Sequence, residues 1–332
     1  MYPKMEAKTK LDVIQGRLQE PLRAMNRLIS ETMGTGNELM NRVVTDYLRS
    51  KGKQIRPIMV LLSAQMHGGI NEHVLLAAAA LEMLHNASLI HDDVVDDTRE
   101  RRGRDTINAA WGNHIAVLVG DFFVSKALEV GLRTGSVTVV RGLSELGVEL
   151  STGEVDQICN ARSHRFLEEE YMEMIRKKTA SLFTHCMLLG ADTSGKMPAD
   201  TAPMLRFAEL LGLCFQIKDD IFDYFPTTAA VGKPTGNDLR EGKVTLPLLY
   251  ALRTAPAEEA APLRAILEAG IPAEPDIERL VDFARRHGGI DYAFSVMRAM
   301  QAEAMQILEA YPDSDARRSF ADIFEFIIDR TY

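Results

Sequence analysis

Two aspartate triples with one spacing, Asp92-Asp93-x-x-Asp96 and Asp219-Asp220-x-x-Asp223, each end a long apolar run. On a helix, Asp92 and Asp96 are i,i+4 neighbours on one face, and Asp93 and Asp97 stand in the same relation. Close like charges lower helix stability unless a cation neutralises them. Either triple alone reads equally well as a solvated acidic helix end. Together they suggest a cation held between two helices. The segments Leu81–Asp96 and Ala208–Asp223 also align without gaps, matching Glu82 to Glu209, Leu84 to Leu211, Ile90 to Ile217 and all three aspartates. Chance similarity of amphipathic helices covers the apolar matches; the aspartates make two related, facing helices the better reading.

An all-oxygen donor set suits Mg²⁺, which takes few protein carboxylates, keeps waters and completes its shell with substrate phosphate oxygens. Asp92, Asp96 and Asp219 are the natural direct ligands, with Asp93, Asp220 and Asp223 as secondary ligands or water-mediated support. Basic residues cluster where helices end: Lys53 and Arg56 beside Gly52, Arg101-Arg102 after the first triple, Lys178-Thr179, and Lys233 and Lys243 after the second. Singly, each is an ordinary solvated charge. Jointly they point to a polyphosphate, bound by Arg forks and Lys point charges. Gln216 precedes Asp219 by three residues and shares its face. His85 shares a helix with the first triple, where a lone His on an apolar face is commonly a core residue.

Helical period runs through almost every segment that must position these groups. The spacing predicts helices over 11–29, 43–48, 58–66, 72–97, 106–132, 137–160, 167–190, 200–224, 245–253, 258–269, 275–287, 290–310 and 313–330, and no period-2 strand. The 332 residues would allow two domains, but no linker interrupts them, so one all-α domain over 1–332 is expected. A 46% hydrophobic, 7% aromatic composition with 16 Met gives an aliphatic core. The net charge of −9 argues against nucleic-acid binding. Cys159, Cys186 and Cys214 read as buried thiols of a reducing compartment. With no apolar signal core and no apolar run of about 18 residues, the chain is expected to be cytoplasmic, without a membrane span.

Taken in order, Gly52-Lys53-x-x-Arg56-Pro57, Asp92-Asp93-x-x-Asp96 with Arg101-Arg102-Gly103, Lys178-Thr179, Phe215-Gln216-x-x-Asp219-Asp220-x-x-Asp223 and Gly242-Lys243 resemble the motifs of the trans-isoprenyl (polyprenyl) diphosphate synthases, over about residues 10 to 330. The resemblance implies a bundle of long, mostly antiparallel helices around a central cavity, of the isoprenoid synthase type. It implies a prenyltransferase that elongates an allylic diphosphate, farnesyl as the primer, with isopentenyl diphosphate, through Mg²⁺-assisted ionisation, condensation and proton elimination. By the same resemblance Asp92, Asp96 and Asp219 hold three Mg²⁺ on the allylic diphosphate, and Arg101, Lys178, Lys233 and Lys243 contact that diphosphate. Lys53, Arg56, His85 and Arg102 hold isopentenyl diphosphate, Thr179 and Gln216 stabilise the carbocation, and the chain is a homodimer.

Chain length is implied by the residues upstream of Asp92. Ala87 and Ser88 are small where short-chain relatives resemble one another in carrying aromatics. Met83, Ala80 and Leu76 follow, and Ala87 to Leu76 spans about 16 Å of helix. A C30–C50 product is expected, octaprenyl as the central value and geranylgeranyl or farnesyl as the alternative, with Leu143 or Leu146 as the floor. Ala87 and Ser88 serving only close helix packing is the plain alternative. A class I terpene cyclase would carry a different second motif. A di-iron bundle needs two Glu-x-x-His pairs, and only Glu82-x-x-His85 is present. A non-catalytic synthase subunit would lack part of the Asp or Lys/Arg set.

Overall fold

The 3.6-residue period of the sequence becomes helix along nearly the whole described chain, residues 9–50, 52–163, 166–225 and 235–330 of a computed structural model. Two compact units group these residues: Met1–Gly147, Leu182–Leu205 and Leu308–Phe326 form the first, and Val148–Ser181, Arg206–Ile307 and Ile327–Tyr332 the second.

The first unit is built on the helix Glu72–Val95, whose residues Ala77, Ala78, Ala79, Ala80, Met83 and Ala87 are all buried. Its small side chains allow close packing, most extensively on the helix Asn113–Arg133 and also on Ile55–His67 and Gln19–Thr32. His91 lies against Gly120 of that neighbour, its Nε2 3.3 Å from the Val117 carbonyl and 3.4 Å from Asp121 Oδ1. Glu72–Val95 is long and apolar enough to cross a membrane, contrary to the sequence reading that no run reaches that length. With 72% of its most apolar window buried in the protein, it serves as a core helix.

In the second unit, a core of Leu248, Leu252, Leu263, Leu280 and Phe283 is formed by the helices Leu246–Thr254, Ala257–Glu268 and Glu274–Arg286. Beside it are the helix Glu168–Ile175 and the larger part of the helix Ala202–Phe222, which carries the second aspartate triple.

Four local features depart from the sequence reading. The expected helix over 167–190 is interrupted by a π-helical turn, Arg176–Ala180. The loop after the first triple holds a small antiparallel ribbon, Glu100–Arg101 with Arg104–Asp105, closed by Arg102 and Gly103 at positive φ. That is the backbone a two-residue hairpin requires, and strands of two residues are too short to show alternation. A short helix, Asn237–Arg240, lies between the expected helices over 200–224 and 245–253, where the spacing predicts none. Cys159 is exposed, not buried as expected; Cys186 and Cys214 are buried, and all three are free thiols.

Candidate active site

In the first unit, Glu72–Val95 ends at the first triple, and the Asp96 N–H closes the last turn on the Asp92 carbonyl at 2.8 Å. Asp92 and Asp96 are partly exposed on one face, as their spacing requires. Asp93 points inward and is 3% exposed. One of its oxygens accepts from Arg101 Nε at 2.9 Å and Nη2 at 2.7 Å. The ribbon that presents Arg101 is anchored beneath by Asn108, which donates to the carbonyls of Asp93 and Thr98. Arg102 turns the other way, donating to the Ser50 carbonyl at 3.2 Å and lying over Gly52. A Cβ at Gly52 would stand 2.6 Å from Arg102 Nη2.

The basic turn before Ile55–His67 is strained. Gln54 adopts a left-handed backbone (φ 51°) between Lys53 and Arg56, held by amide hydrogen bonds with Asn26. Non-Gly residues in that region cost energy and gather at functional sites; Asp97 and Arg102 share the conformation. Lys53 Nζ sits 5.3 Å from the centre of the Phe326 ring, and the Arg56 guanidinium 5.6 Å from that of Phe183. His85 is buried; burial first, then the charges of Arg56, Arg102 and Arg101, hold its pKa well below the usual imidazole range, so it is neutral. Burial raises the Glu82 carboxyl against the opposing pull of Arg56 and Arg102. Arg101, Arg102 and Arg104 line one cavity of about 310 Å³ with Tyr47, Trp111 and Asp93.

In the second unit, a cavity of about 140 Å³ is lined by Lys178, Thr179, Gln216, Asp220 and Lys243, five of the residues singled out in the sequence. The π turn carries Lys178 and Thr179, a distortion frequent at functional sites. Lys178 Nζ donates to Gln157 Oε1 at 3.0 Å and pairs with Glu154. Thr179 Oγ1 donates to Gln216 Oε1 at 2.7 Å, Gln216 Nε2 to Asp220 Oδ1 at 2.8 Å, and Tyr171 Oη to Asp220 Oδ2 at 2.6 Å. Burial, helped by Asp219 and Asp223, pushes the Asp220 carboxyl up to about 6 against the hydrogen bonds of Tyr171 and Gln216. Asp223 accepts from the N–H groups of Asn237 and Asp238, both at 2.9 Å, and so caps the start of Asn237–Arg240. Asp219 faces Arg330, whose Nη2 is 2.6 Å from its Oδ1. Lys233 lies outside the described residues.

The fold agrees with that of known proteins. The polyprenyl synthetase family model matches residues 37–284. The octaprenyl diphosphate synthase of Haemophilus influenzae is 33% identical over 97% of this chain and 98% of its own. This chain belongs to the polyprenyl synthetase family. It is accordingly an enzyme, a prenyltransferase of the all-α isoprenoid synthase fold. Among solved structures, a decaprenyl diphosphate synthase from Rhodobacter capsulatus superposes with a TM-score of 0.89 at 31% identity, covering 96% of this chain and 98% of that one. A polyprenyl synthase from Caulobacter crescentus, complexed with calcium and isoprenyl diphosphate, superposes at 0.88 and 31% identity over 98% and 99% of the two chains.

For a polyprenyl synthetase the geometry refines the sequence reading in two ways. The aspartates divide by environment: Asp92, Asp96 and Asp219 are partly exposed, whereas Asp93 and Asp220 are buried on protein donors and Asp223 caps a helix. Among the described residues no three His, Cys, Asp or Glu side chains converge into a ready-made metal site. The geometry also adds residues that the motifs passed over. Tyr171, Arg330 and Asp238 touch the second triple or line its cavity, but each is distant in sequence and of a type common in any helical protein. Only Asp238, four residues before Gly242-Lys243, had a signal nearby.

Proposed function

We propose that this polyprenyl synthetase condenses isopentenyl diphosphate with an allylic diphosphate, farnesyl as the primer, to an all-trans C30–C50 product with octaprenyl as the central value. The cavity that Lys178, Thr179, Gln216 and Lys243 line together, in a chain 33% identical to an octaprenyl synthase over 97% of its length, carries this reading. The family model spans residues of both units, which supports one synthase domain.

Asp92, Asp96 and Asp219 are the residues that would hold Mg²⁺, three ions per site. Their donors are all carboxylate oxygens and too few to enclose a cation, which fits a metal that completes its shell with water and phosphate oxygens. When bound, Mg²⁺ supplies positive charge to the leaving diphosphate. Lys178 and Lys243 add fixed cations for the same charge. Lys53, Arg56, Arg102 and neutral His85 orient isopentenyl diphosphate, so that its addition to the allylic cation is effectively unimolecular. Oxygen dipoles of Thr179 and Gln216 favour that cation, and the apolar walls exclude water that would capture it. Dimerisation through the helix Asn113–Arg133 fits its exposed Val117, Leu118, Leu128 and Leu132, and free thiols suit a cytoplasmic setting.

Incubation with farnesyl and isopentenyl diphosphates and Mg²⁺ tests the reading. Released diphosphate and a ladder ending between C30 and C50, both lost on chelation, are expected. A ladder ending at C20 makes the chain a geranylgeranyl synthase, and no turnover overturns farnesyl diphosphate as the primer. A second result follows from Gly52: Gly52→Ala displaces the Arg102 guanidinium. The KM for isopentenyl diphosphate should rise about tenfold, the loss of one charged hydrogen-bonding contact, while kcat and the KM for the allylic substrate hold. A KM unchanged by this variant removes Arg102 from that subsite.

A further inference from the structure

Gln216 is held at both ends of its amide, by Thr179 at Oε1 and by Asp220 at Nε2. Asp220 is itself fixed by Tyr171, and these two residues are 5% and 3% exposed. The NH₂ donates to Asp220 Oδ1, whose partner oxygen accepts from Tyr171, and this turns the carbonyl oxygen toward Thr179 and the cavity both line. Reversed, the amide would present N–H groups to a cation and repel it.

The π turn is what lets Tyr171 join this chain of contacts. Such a turn accommodates one extra residue, so positions eight apart across it align as positions seven apart do in an uninterrupted α-helix. Tyr171 and Thr179 are eight apart, and both reach the helix Ala202–Phe222, at Asp220 and Gln216. Asp219, one residue before Asp220 and about 100° around the helix, reaches Arg330 instead. The doublet is thus split, as in the first triple, where Asp93 is buried on Arg101 while Asp92 remains partly exposed.

We propose that Asp220 and Tyr171 are positioning residues, which lock the Gln216 amide with its oxygen toward the reacting allylic cation, and that this, not metal ligation, is the task of Asp220. The proposal rests on the reading of Thr179 and Gln216 given above. It is tested on the full-length enzyme with Mg²⁺ by a double-mutant cycle. Asp220→Asn permits the reversed amide and should lower kcat about 100-fold, the scale of one preorganised dipole; Tyr171→Phe, which leaves Asp220 one donor, should lower it about tenfold. Both should leave the KM of each diphosphate and the half-activating Mg²⁺ concentration within about twofold, which a defect in metal binding would not. Gln216→Ala combined with either should be no slower than Gln216→Ala alone.

Losses that multiply in the double variants overturn the proposal while leaving the role of Gln216 standing. A tenfold or greater rise in half-activating Mg²⁺ for Asp220→Asn overturns it in favour of a metal ligand. Wild-type turnover by Gln216→Ala overturns the cation-stabilising reading itself, and the proposal with it. Should Asp220→Asn fail to fold, judged by thermal melting, the cycle with Tyr171→Phe decides alone.

Discussion

Asp92→Ala should lower turnover about a thousandfold while leaving the fold at least as stable as before. The activity loss follows from the proposed role of Asp92 as a ligand of Mg²⁺, whose charge would stabilise the departing diphosphate, and losses of single electrostatic groups of this kind reach 10³. The stability result follows from position. Asp92 lies in the last turn of Glu72–Val95 and Asp96, four residues on, is its C-cap, so they repel each other and meet the negative end of the helix dipole. Deleting one relieves both. Asp93→Ala, one residue on, should behave differently. Its carboxylate is buried on Arg101, and removing one partner of such a pair costs about 3 kcal/mol. Circular dichroism melting with a diphosphate-release assay separates the two: Asp92→Ala folded and inactive, Asp93→Ala lower in melting temperature. An active Asp92→Ala with unchanged Mg²⁺ dependence removes Asp92 from the proposed Mg²⁺ ligands.

That contrast marks where the sequence stops being informative. Periodicity suffices for helices because burial of one face is written into every third or fourth residue, and so the run ending at Asp97 and the run ending at Asp223 were both legible. Motif spacing found Lys178, Thr179, Gln216 and Lys243, which line one cavity. Spacing could not say which aspartate of each doublet faces inward, because that depends on a partner far along the chain: Arg101 for Asp93, Tyr171 for Asp220. Nor does any residue pattern announce the π turn at Arg176–Ala180, whose extra residue is absorbed by backbone geometry alone. Arg330 was missed for the same reason, lying 111 positions from the Asp219 it contacts.

Ala87→Phe should shorten the product, and it is the substitution that separates a tunnel wall from a packing site. Ala87 is 1% exposed, and Met83 and Ala80 below it on Glu72–Val95 are fully buried. Ala80 adjoins Gly131, against which Leu143 packs. Leu143 thus sits about 10 Å down the helix from Ala87, the place of the expected floor. If the face from Ala87 to Ala80 borders the growing tail, Phe fills space that only product occupies. The ladder then ends at C15–C20, with little loss of stability. If Ala87 merely lets two helices approach, Phe overpacks the core, which costs about 1–3 kcal/mol, and product length holds. Leu143→Ala supplies the opposite arm, since removing the floor should lengthen the product, whereas a purely structural Leu143 would cost about 2–5 kcal/mol as a cavity and leave the ladder unchanged. Chain-length analysis with melting temperatures on both variants therefore decides the assignment, and an unshifted ladder in both removes this helix face from chain-length control.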